Sequence, residues 1–266
     1  MQAIGQMIKA NPSTNTDSES ISLKDIEELH ALRYNSKPGN LNASDFDCPQ
    51  CLNKGFTAFV QEGNPYPYMA LKRCECSPIR AMIEEAKTKS GFGDLLYNSL
   101  DKFIATETWQ HDLKVLAEDY LENFGSNWFA VLGQSGAGKT MVCASICNKL
   151  LKRYKKVRYL SWVEFSELMK SKSNKEAYQQ YALADVLYID DLLKGTANAW
   201  DTQIAWQLIN DRYNQNLPTI ISSELLIGDL IEQDESLAGR ILERSGKYYF
   251  PIKKEKYRNY RLKGHL

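Results

Sequence analysis

Nowhere does the chain approach the roughly 18–20 consecutive apolar residues of a membrane span. Its first twenty residues are rich in Ser, Thr, Asn and Gln and lack the apolar core of a secretory signal. These absences exclude a membrane-spanning or exported reading, predict a mobile start and place the protein in the cytoplasm. Structural disulfides are then not expected, and the six cysteines need another explanation. No charge of either sign is in excess: 33 basic and 33 acidic residues cancel, so no global field advertises nucleic acid. A local basic face stays possible, because binding depends on patches rather than totals. No internal repeat is found. What is present is 266 residues, 43% of them hydrophobic, enough for one large domain or two modest ones with a real core.

The stretch that organises the rest is Gly133-Gln134-Ser135-Gly136-Ala137-Gly138-Lys139-Thr140. It fits G-x-x-x-x-G-K-[ST] at every fixed position, with an apolar strand pattern over 126–132 before it and a helical pattern over 141–153 after it. Glycines let the backbone wrap closely around phosphates, and successive N–H groups with the helix N-terminus face the anion. Lys139 would reach the β- and γ-phosphates and Thr140 would ligate Mg²⁺. The bland alternative is a glycine-rich turn that matches by chance.

Ser22 with Asp25 three residues later opens a helix, with Leu23, Ile26, Leu29 and Arg33 tracing one face; Lys37-Pro38-Gly39 ends it. Then come Cys48-Pro49-Gln50-Cys51, 22 intervening residues and Cys74-Glu75-Cys76. The pattern reads as two knuckles joined by a β-hairpin, and four thiolates can close a tetrahedral Zn²⁺ site with no open ligand position, hence structural. Four free thiols, or a redox pair at Cys48 and Cys51, is the alternative. A short charged helix over 78–89 follows, a boundary at Ser90-Gly91-Phe92-Gly93, and a longer helix over 105–124 with Trp109, Leu113, Leu116 and Tyr120 as core.

From Asn127 strand and helix alternate, predicting a mostly parallel sheet with helices on both faces. Expected strands are 128–132, 157–161, 186–190, 219–222 and 247–250; expected helices include 139–153 and 202–214. Cys143 and Cys147 on the phosphate-loop helix read as small buried hydrophobes. Val186-Leu187-Tyr188-Ile189-Asp190-Asp191 is an apolar strand ending in two carboxylates, about 50 residues after the loop. Asp190 would hold Mg²⁺ and Asp191 would orient or deprotonate the attacking water. A second buried strand ends at Ser222-Ser223-Glu224, where polar groups can meet the γ-phosphate; Ser223 could equally be a helix cap. Arg240 and Arg244 lie four apart on one helix face, as a pair that either reaches a neighbour's γ-phosphate or forms surface salt bridges.

These motifs together resemble the DnaC/DnaI-type bacterial replicative helicase loaders and the related IstB transposition ATPases, all AAA+ proteins. The likeness runs over about 48–261 and rests on the phosphate loop, Tyr188-Ile189-Asp190-Asp191-Leu192, Pro218-Thr219-Ile220-Ile221-Ser222-Ser223 and Gly239-Arg240-Ile241-Leu242-Glu243-Arg244. The cysteine module also looks like that of loaders in phages and Gram-positive bacteria.

The resemblance implies an α/β AAA+ phosphate-loop NTPase with a reduced lid, since only 16 residues follow Phe250. It implies ATP or ADP held by residues 133–140 with Mg²⁺ at Thr140 and Asp190, a Walker B pair at Asp190 and Asp191, and a sensor among Ser222 and Ser223. It also implies an arginine acting in trans (Arg240 or Arg244) and a second sensor at Arg258 within Tyr257-Arg258-Asn259-Tyr260-Arg261. Hydrolysis would be weak and dependent on self-association. The expected organisation is an N-terminal tail and short helix (1–45), a zinc-binding, helicase-interacting module (46–90) and the ATPase domain (91–266). Expected partners are a hexameric replicative DNA helicase and single-stranded DNA, the latter along 165–181 with Lys170, Lys172 and Lys175, a stretch that also reads as a solvated helix face. The denser basic run Lys149, Lys152, Arg153, Lys155 and Lys156 reads as solvated. The other readings are an IstB-like helper acting on duplex DNA and an ATP-gated adaptor with little hydrolysis.

Overall fold

The computed structural model describes residues 21–41, 47–89, 93–153, 155–171, 175–195, 198–255 and 258–262. The expectations on residues 1–20, on Ser90, Gly91 and Phe92 as a boundary, and on Lys172 and Tyr257 lie outside them.

Helix α1 (Leu23–Ser36) begins where Ser22 and Asp25 bond reciprocally, satisfying two amide donors that a helix start leaves free. It packs on a hairpin, β1 (Phe56–Gln61) and β2 (Tyr68–Arg73), paired antiparallel with Phe56 opposite Arg73. The face that docks is not the apolar one. Ala31 is buried, and Asn35 both donates to the Ala58 carbonyl and accepts from its amide at 2.8 Å, supplying the partners that an open strand edge lacks. Leu23, Ile26, Leu29 and Leu32 stay exposed. Helix α2 (Cys76–Lys89) then runs from the hairpin to the main sheet.

That sheet has five parallel strands in the order β4-β5-β6-β3-β7. They are β3 (Phe129–Gly133), β4 (Val157–Ser161), β5 (Val186–Asp190), β6 (Thr219–Ser223) and β7 (Tyr249–Ile252). Both faces are covered, which is why β3, β5 and β6 read as near-continuous apolar runs. Phe129, Val131, Val186, Tyr188 and Ile220 face one core with α3 (Thr108–Glu122) and α4 (Lys139–Lys152). Ala130, Leu132, Leu187, Ile189 and Ile221 face the other, with α7 (Ala199–Asn214), α8 (Ile227–Gln233) and α9 (Glu235–Ser245). Helices α5 (Trp162–Ser171) and α6 (Lys175–Ala182) follow the edge strand β4. The four module cysteines, Ile79 and Ile83 belong to the same buried cluster as the first face.

The parallel sheet and strands β4 and β5 match the sequence pattern residue for residue, whereas several boundaries move. The last strand starts at Tyr249 rather than Lys247, because Gly246 (φ +49°) ends α9 and a 3-10 turn over Gly246–Tyr248 intervenes. There Lys247 pairs with Asp119 at 2.6 Å and Tyr248 packs edge-on against Tyr120. Helix α3 begins at Thr108 instead of 105, since Glu107 and Gln110 form its cap. Helix α7 begins at Ala199, where the Asn198 side chain accepts the Asp201 amide at 3.0 Å. Among described residues no helix is long and apolar enough to cross a membrane.

Candidate nucleotide and metal sites

The carboxyl ends of β3, β5 and β6 lie side by side, and a cavity of about 310 Å³ opens beyond them. The loop after β3 forms its floor. Gly133 (φ +114°) turns the chain against the Ile252 carbonyl, where any side chain would collide, and the Gln134 amide donates to that carbonyl at 2.9 Å. Gly136 and Gly138 also take positive φ. Helix α4 starts at Lys139, so its amino end points at the cavity. Lys139 Nζ donates to the Gly133 and Gln134 carbonyls at 2.8 Å each. Burial pulls its pKa below the ordinary lysine value, against the opposing charges of Asp191 and Glu224.

Asp190 ends β5 with both carboxylate oxygens engaged. Its Oδ1 accepts from Thr140 (3.1 Å), Tyr188 (2.6 Å) and Ser222 (2.5 Å), and its Oδ2 from Tyr159 (3.1 Å). Burial, followed by the Asp190 charge, raises the Tyr159 phenol. The 3.1 Å between Thr140 Oγ1 and Asp190 Oδ1 suits neighbouring ligands of an octahedral Mg²⁺, whose bonds of about 2.1 Å set ligands about 3 Å apart. The two residues therefore fit a Mg²⁺ site.

Asp191 adopts a left-handed backbone (φ +55°), and its amide donates to Ser222 Oγ at 3.1 Å. Its carboxylate lines the cavity and pairs with Lys194 at 2.7 Å. Lys194 also approaches Glu224 (3.4 Å), which accepts the Ser135 hydroxyl at 2.8 Å. Ser223 is turned away: its hydroxyl donates to the Leu192 carbonyl at 2.7 Å and accepts the Leu225 amide, the work of a turn cap.

The expected arginines divide. Arg258 lines the cavity, pairs with Glu255 at 2.8 Å and lies over the Trp109 ring at 5.5 Å. Trp109, read from the sequence as core, packs against the buried cluster and also forms a wall of the cavity, with Phe103 and Ile104 beside it. Arg240 and Arg244 do not line it. Arg240 stacks on Trp206 and Tyr213, and Arg244 donates to Asn216 Oδ1 (2.9 Å) and the Ser126 carbonyl (2.6 Å). Lys194 and Tyr159 escaped the sequence reading; the only signal for Lys194 was a cation three residues past the strand-end carboxylates.

At the hairpin base, Cys48, Cys51, Cys74 and Cys76 are buried with sulfurs all within 4.8 Å of one another. Cys48–Cys74 and Cys51–Cys76 are 3.7 and 3.6 Å apart, close to the roughly 3.8 Å edge of a tetrahedron with Zn–S bonds of about 2.3 Å. Burial pushes the Cys74 thiol up to about 12. The Gly55 amide and Arg80 Nε donate to Cys51 and Cys76 sulfurs at 3.3 and 3.5 Å, as donors to thiolates would. The four residues fit a closed Zn²⁺ site. Cys143 and Cys147 are fully buried in the core on α4, their thiols raised by burial. On the 165–181 stretch, Phe165 is core, Lys170 pairs with Asp201 (3.3 Å) and Glu167 (3.6 Å), and Lys175 is exposed. Lys149, Lys152, Arg153, Lys155 and Lys156 are exposed about the C-terminal end of α4, away from the cavity.

Known proteins are similar over most of this chain. A protein of Bacillus subtilis (strain 168), "Phage-like element PBSX protein XkdC", is 30% identical over 250 residues, covering 86% of this chain and 91% of that one. "Replicative helicase loader DnaC" of Escherichia coli (strain K12) is 27% identical over 175 residues, covering 62% and 70%. The crystal structure of the DnaC helicase loader superposes with a TM-score of 0.53 at 19% identity, covering 60% of this chain and 99% of that one, which shows a shared AAA+ fold. The family model described as "IstB-like ATP binding protein" matches residues 98–264. With a phosphate loop, two strand-end carboxylates and that match spanning the whole sheet, the chain belongs to the IstB-like ATP-binding protein family.

Proposed function

We propose that this protein is an ATP-dependent loader of a hexameric replicative DNA helicase. The observation that carries the reading is the cavity itself, lined by Ser135 to Thr140 with Asp190 bonded to Thr140, in a chain similar to proteins named helicase loaders. In this reading Lys139 exchanges its loop carbonyls for the β- and γ-phosphates of ATP. Thr140 and Asp190 hold Mg²⁺, which when bound supplies positive charge to the phosphate oxygens. Asp191 orients the attacking water. Ser222 serves as the first sensor by fixing Asp190 and Asp191 together, and Arg258 as the second from the cavity wall.

Arg240 and Arg244 lie outside the chain's own cavity, and in this reading one of them reaches the charge that develops in hydrolysis at a neighbouring subunit's site. Hydrolysis is accordingly weak until the ATPase domains self-associate. Residues 46–90, held by Zn²⁺, grip the helicase together with α1. Exposed Leu23, Ile26, Leu29, Leu32, Phe59 and Leu71 support that surface, since apolar side chains gathered on a small module mark a docking face. Residues 91–266 bind nucleotide and, along α5 and α6, the backbone of single-stranded DNA.

The test is co-purification with a hexameric replicative helicase in ATP, in ADP and without nucleotide, with zinc measured on the same sample. Retention of helicase with ATP and release after hydrolysis is expected. Absence of binding in every state overturns the reading. A preference for bent duplex over single strands turns it toward a transposition helper, and an Asp191→Asn variant with full loading activity turns it toward an ATP-gated adaptor.

A further inference from the structure

The nucleotide cavity carries a difficulty for a triphosphate. Two carboxylates, Asp191 and Glu224, stand on its wall beside the phosphate loop. An anionic terminal phosphate placed there meets like charge, which raises the cost of ATP over ADP. Lys139 serves the β- and γ-phosphates from the loop side, and Lys102, Arg258 and Arg261 line other parts of the cavity, Arg258 paired with Glu255 near Trp109. The cation standing between the two carboxylates is Lys194. It lies 2.7 Å from Asp191 Oδ2 and 3.4 Å from Glu224 Oε1, and lines the same cavity. The turn after β5 aims it there: Asp191 and Leu193 take φ of +55° and +56°, and the Lys194 amide closes on the Asp191 carbonyl at 3.0 Å.

We propose that Lys194 is a ligand of the terminal phosphate, held ready by Asp191 and Glu224, and the residue by which this site distinguishes ATP from ADP. The proposal rests on the reading of the cavity as a nucleotide site. Both ion pairs are partly solvated, with side-chain exposures of 40% for Lys194, 27% for Asp191 and 34% for Glu224, so they hold the ammonium loosely. A γ-phosphate offers it charge-assisted hydrogen bonds to oxygens of higher charge density. The exchange is a movement of one flexible side chain and leaves Asp191 free to face water. ADP lacks the group that draws Lys194 across, so the pair with Asp191 persists and the carboxylate stays engaged. Glu224 bonds to Ser135 as well, which links the position of Lys194 to the phosphate loop itself.

The experiment is calorimetric titration of the full chain with ADP and with a non-hydrolysable ATP analogue, each with Mg²⁺, for wild type, Lys194→Met and Lys194→Arg. The expected result is about a tenfold loss of affinity for the ATP analogue in Lys194→Met, with ADP affinity within twofold of wild type and Lys194→Arg recovering most of the loss. Equal weakening of both ligands shows a structural role for the turn and overturns the proposal, as does no change in either. A Lys139→Ala control separates the two readings: if wild type and this control both bind neither ligand, the nucleotide site itself is wrong. If wild type binds both with no preference that Lys194 alters, only the proposal falls.

Discussion

The Ser222 hydroxyl donates to Asp190 Oδ1 at 2.5 Å while accepting the Asp191 amide at 3.1 Å. One side chain of β6 thus fixes both acidic residues at the tip of β5. Ser222→Ala leaves a partly buried amide without its acceptor and removes the shortest donor from Asp190. ATP turnover is expected to fall about tenfold or more, with ADP affinity little changed and stability lowered by about 1–3 kcal/mol. Steady-state kinetics with separate kcat and KM checks this, and Ser222→Thr, which keeps the hydroxyl, is expected to retain most activity.

Arg240 and Arg244 have different fates despite their shared helix face. Arg244 is tied to Asn216 and to the Ser126 carbonyl three residues before β3, whereas Arg240 lies against the Trp206 and Tyr213 rings of α7. Arg244→Ala is therefore expected to lower stability by about 1–2 kcal/mol, through loss of a charged donor. Arg240→Ala is expected to abolish assembly-dependent hydrolysis without unfolding. Mixing inactive Arg240→Ala with inactive Asp191→Asn should restore turnover, because one kind of interface in the mixture carries both an arginine and an acid. No recovery on mixing would rule out a trans role for Arg240.

Arg212 is fully buried, and among the described residues no carboxylate hydrogen-bonds to it. Its guanidinium donates to the carbonyls of Tyr181, Ala182, Ala184 and Pro218 and to Thr219 Oγ1, at 2.7–3.1 Å. Burial lowers its pKa to about 9. The residue clasps the turn before β5 to the turn before β6. Arg212→Ala should cost about 3–5 kcal/mol, since several buried acceptors lose their donor at once. Urea unfolding reads this directly, and a midpoint unchanged from wild type would refute it.

Removing the metal should act on stability rather than on nucleotide binding, because the cysteine cluster lies at the hairpin base and not on the cavity. Purified protein is expected to hold about one Zn²⁺ per chain, and Cys51→Ser to lose most of it. Chelation should lower Tm and weaken helicase retention while leaving ADP affinity near its starting value. Unaltered Tm after complete zinc removal would contradict a structural site.

The chain of contacts from Ser135 through Glu224 to Lys194 also sets a pH dependence. Burial acts to raise the Glu224 carboxyl, but the Ser135 hydroxyl and the Lys194 charge outweigh it and hold the pKa below its ordinary 4.5. A carboxyl depressed on folding contributes stability that is present above that ordinary value and is lost as pH falls through the folded one. The hydrogen bond to Asp191 raises Lys194 above 10.5, so its share persists up to that pH and is lost only above it. The Tm difference between wild type and Glu224→Gln should thus be small and constant from about pH 6 to 9, and disappear in acid. A difference that grows in acid would have the wrong sign.

Much of this molecule is legible in its sequence because several local signals agree. The loop glycines, the apolar run of β5 and the Ser22–Asp25 cap each specify their own neighbourhood. What could not be read depends on distant neighbours. The apolar stripe of α1 is plain from Leu23, Ile26 and Leu29, yet periodicity does not say that Asn35 and Ala31 make the dock and the stripe meets solvent. Trp109 has core spacing and does pack on the core, but periodicity does not say that it also lines the cavity. Lys194 belongs to no motif, and only the left-handed turn at Asp191 and Leu193 folds it back into the site. Ser222 and Ser223 are alike in sequence, and strand alternation sends one to Asp190 and the other to a turn.

Helix α2 opens at Cys76, one of the four clustered thiols, and its Glu85 side chain reaches Arg158 on β4 at 3.1 Å. The next residue on that strand, Tyr159, bonds Asp190. Nine residues of helix, about 14 Å of rod, therefore separate the sulfur cluster from the strand that helps to hold the acidic tip of β5. The hairpin module thus meets the edge of the sheet through a helix that acts as a strut. On the reading proposed above, a partner held by the hairpin would act on the edge of the sheet at β4 through this helix.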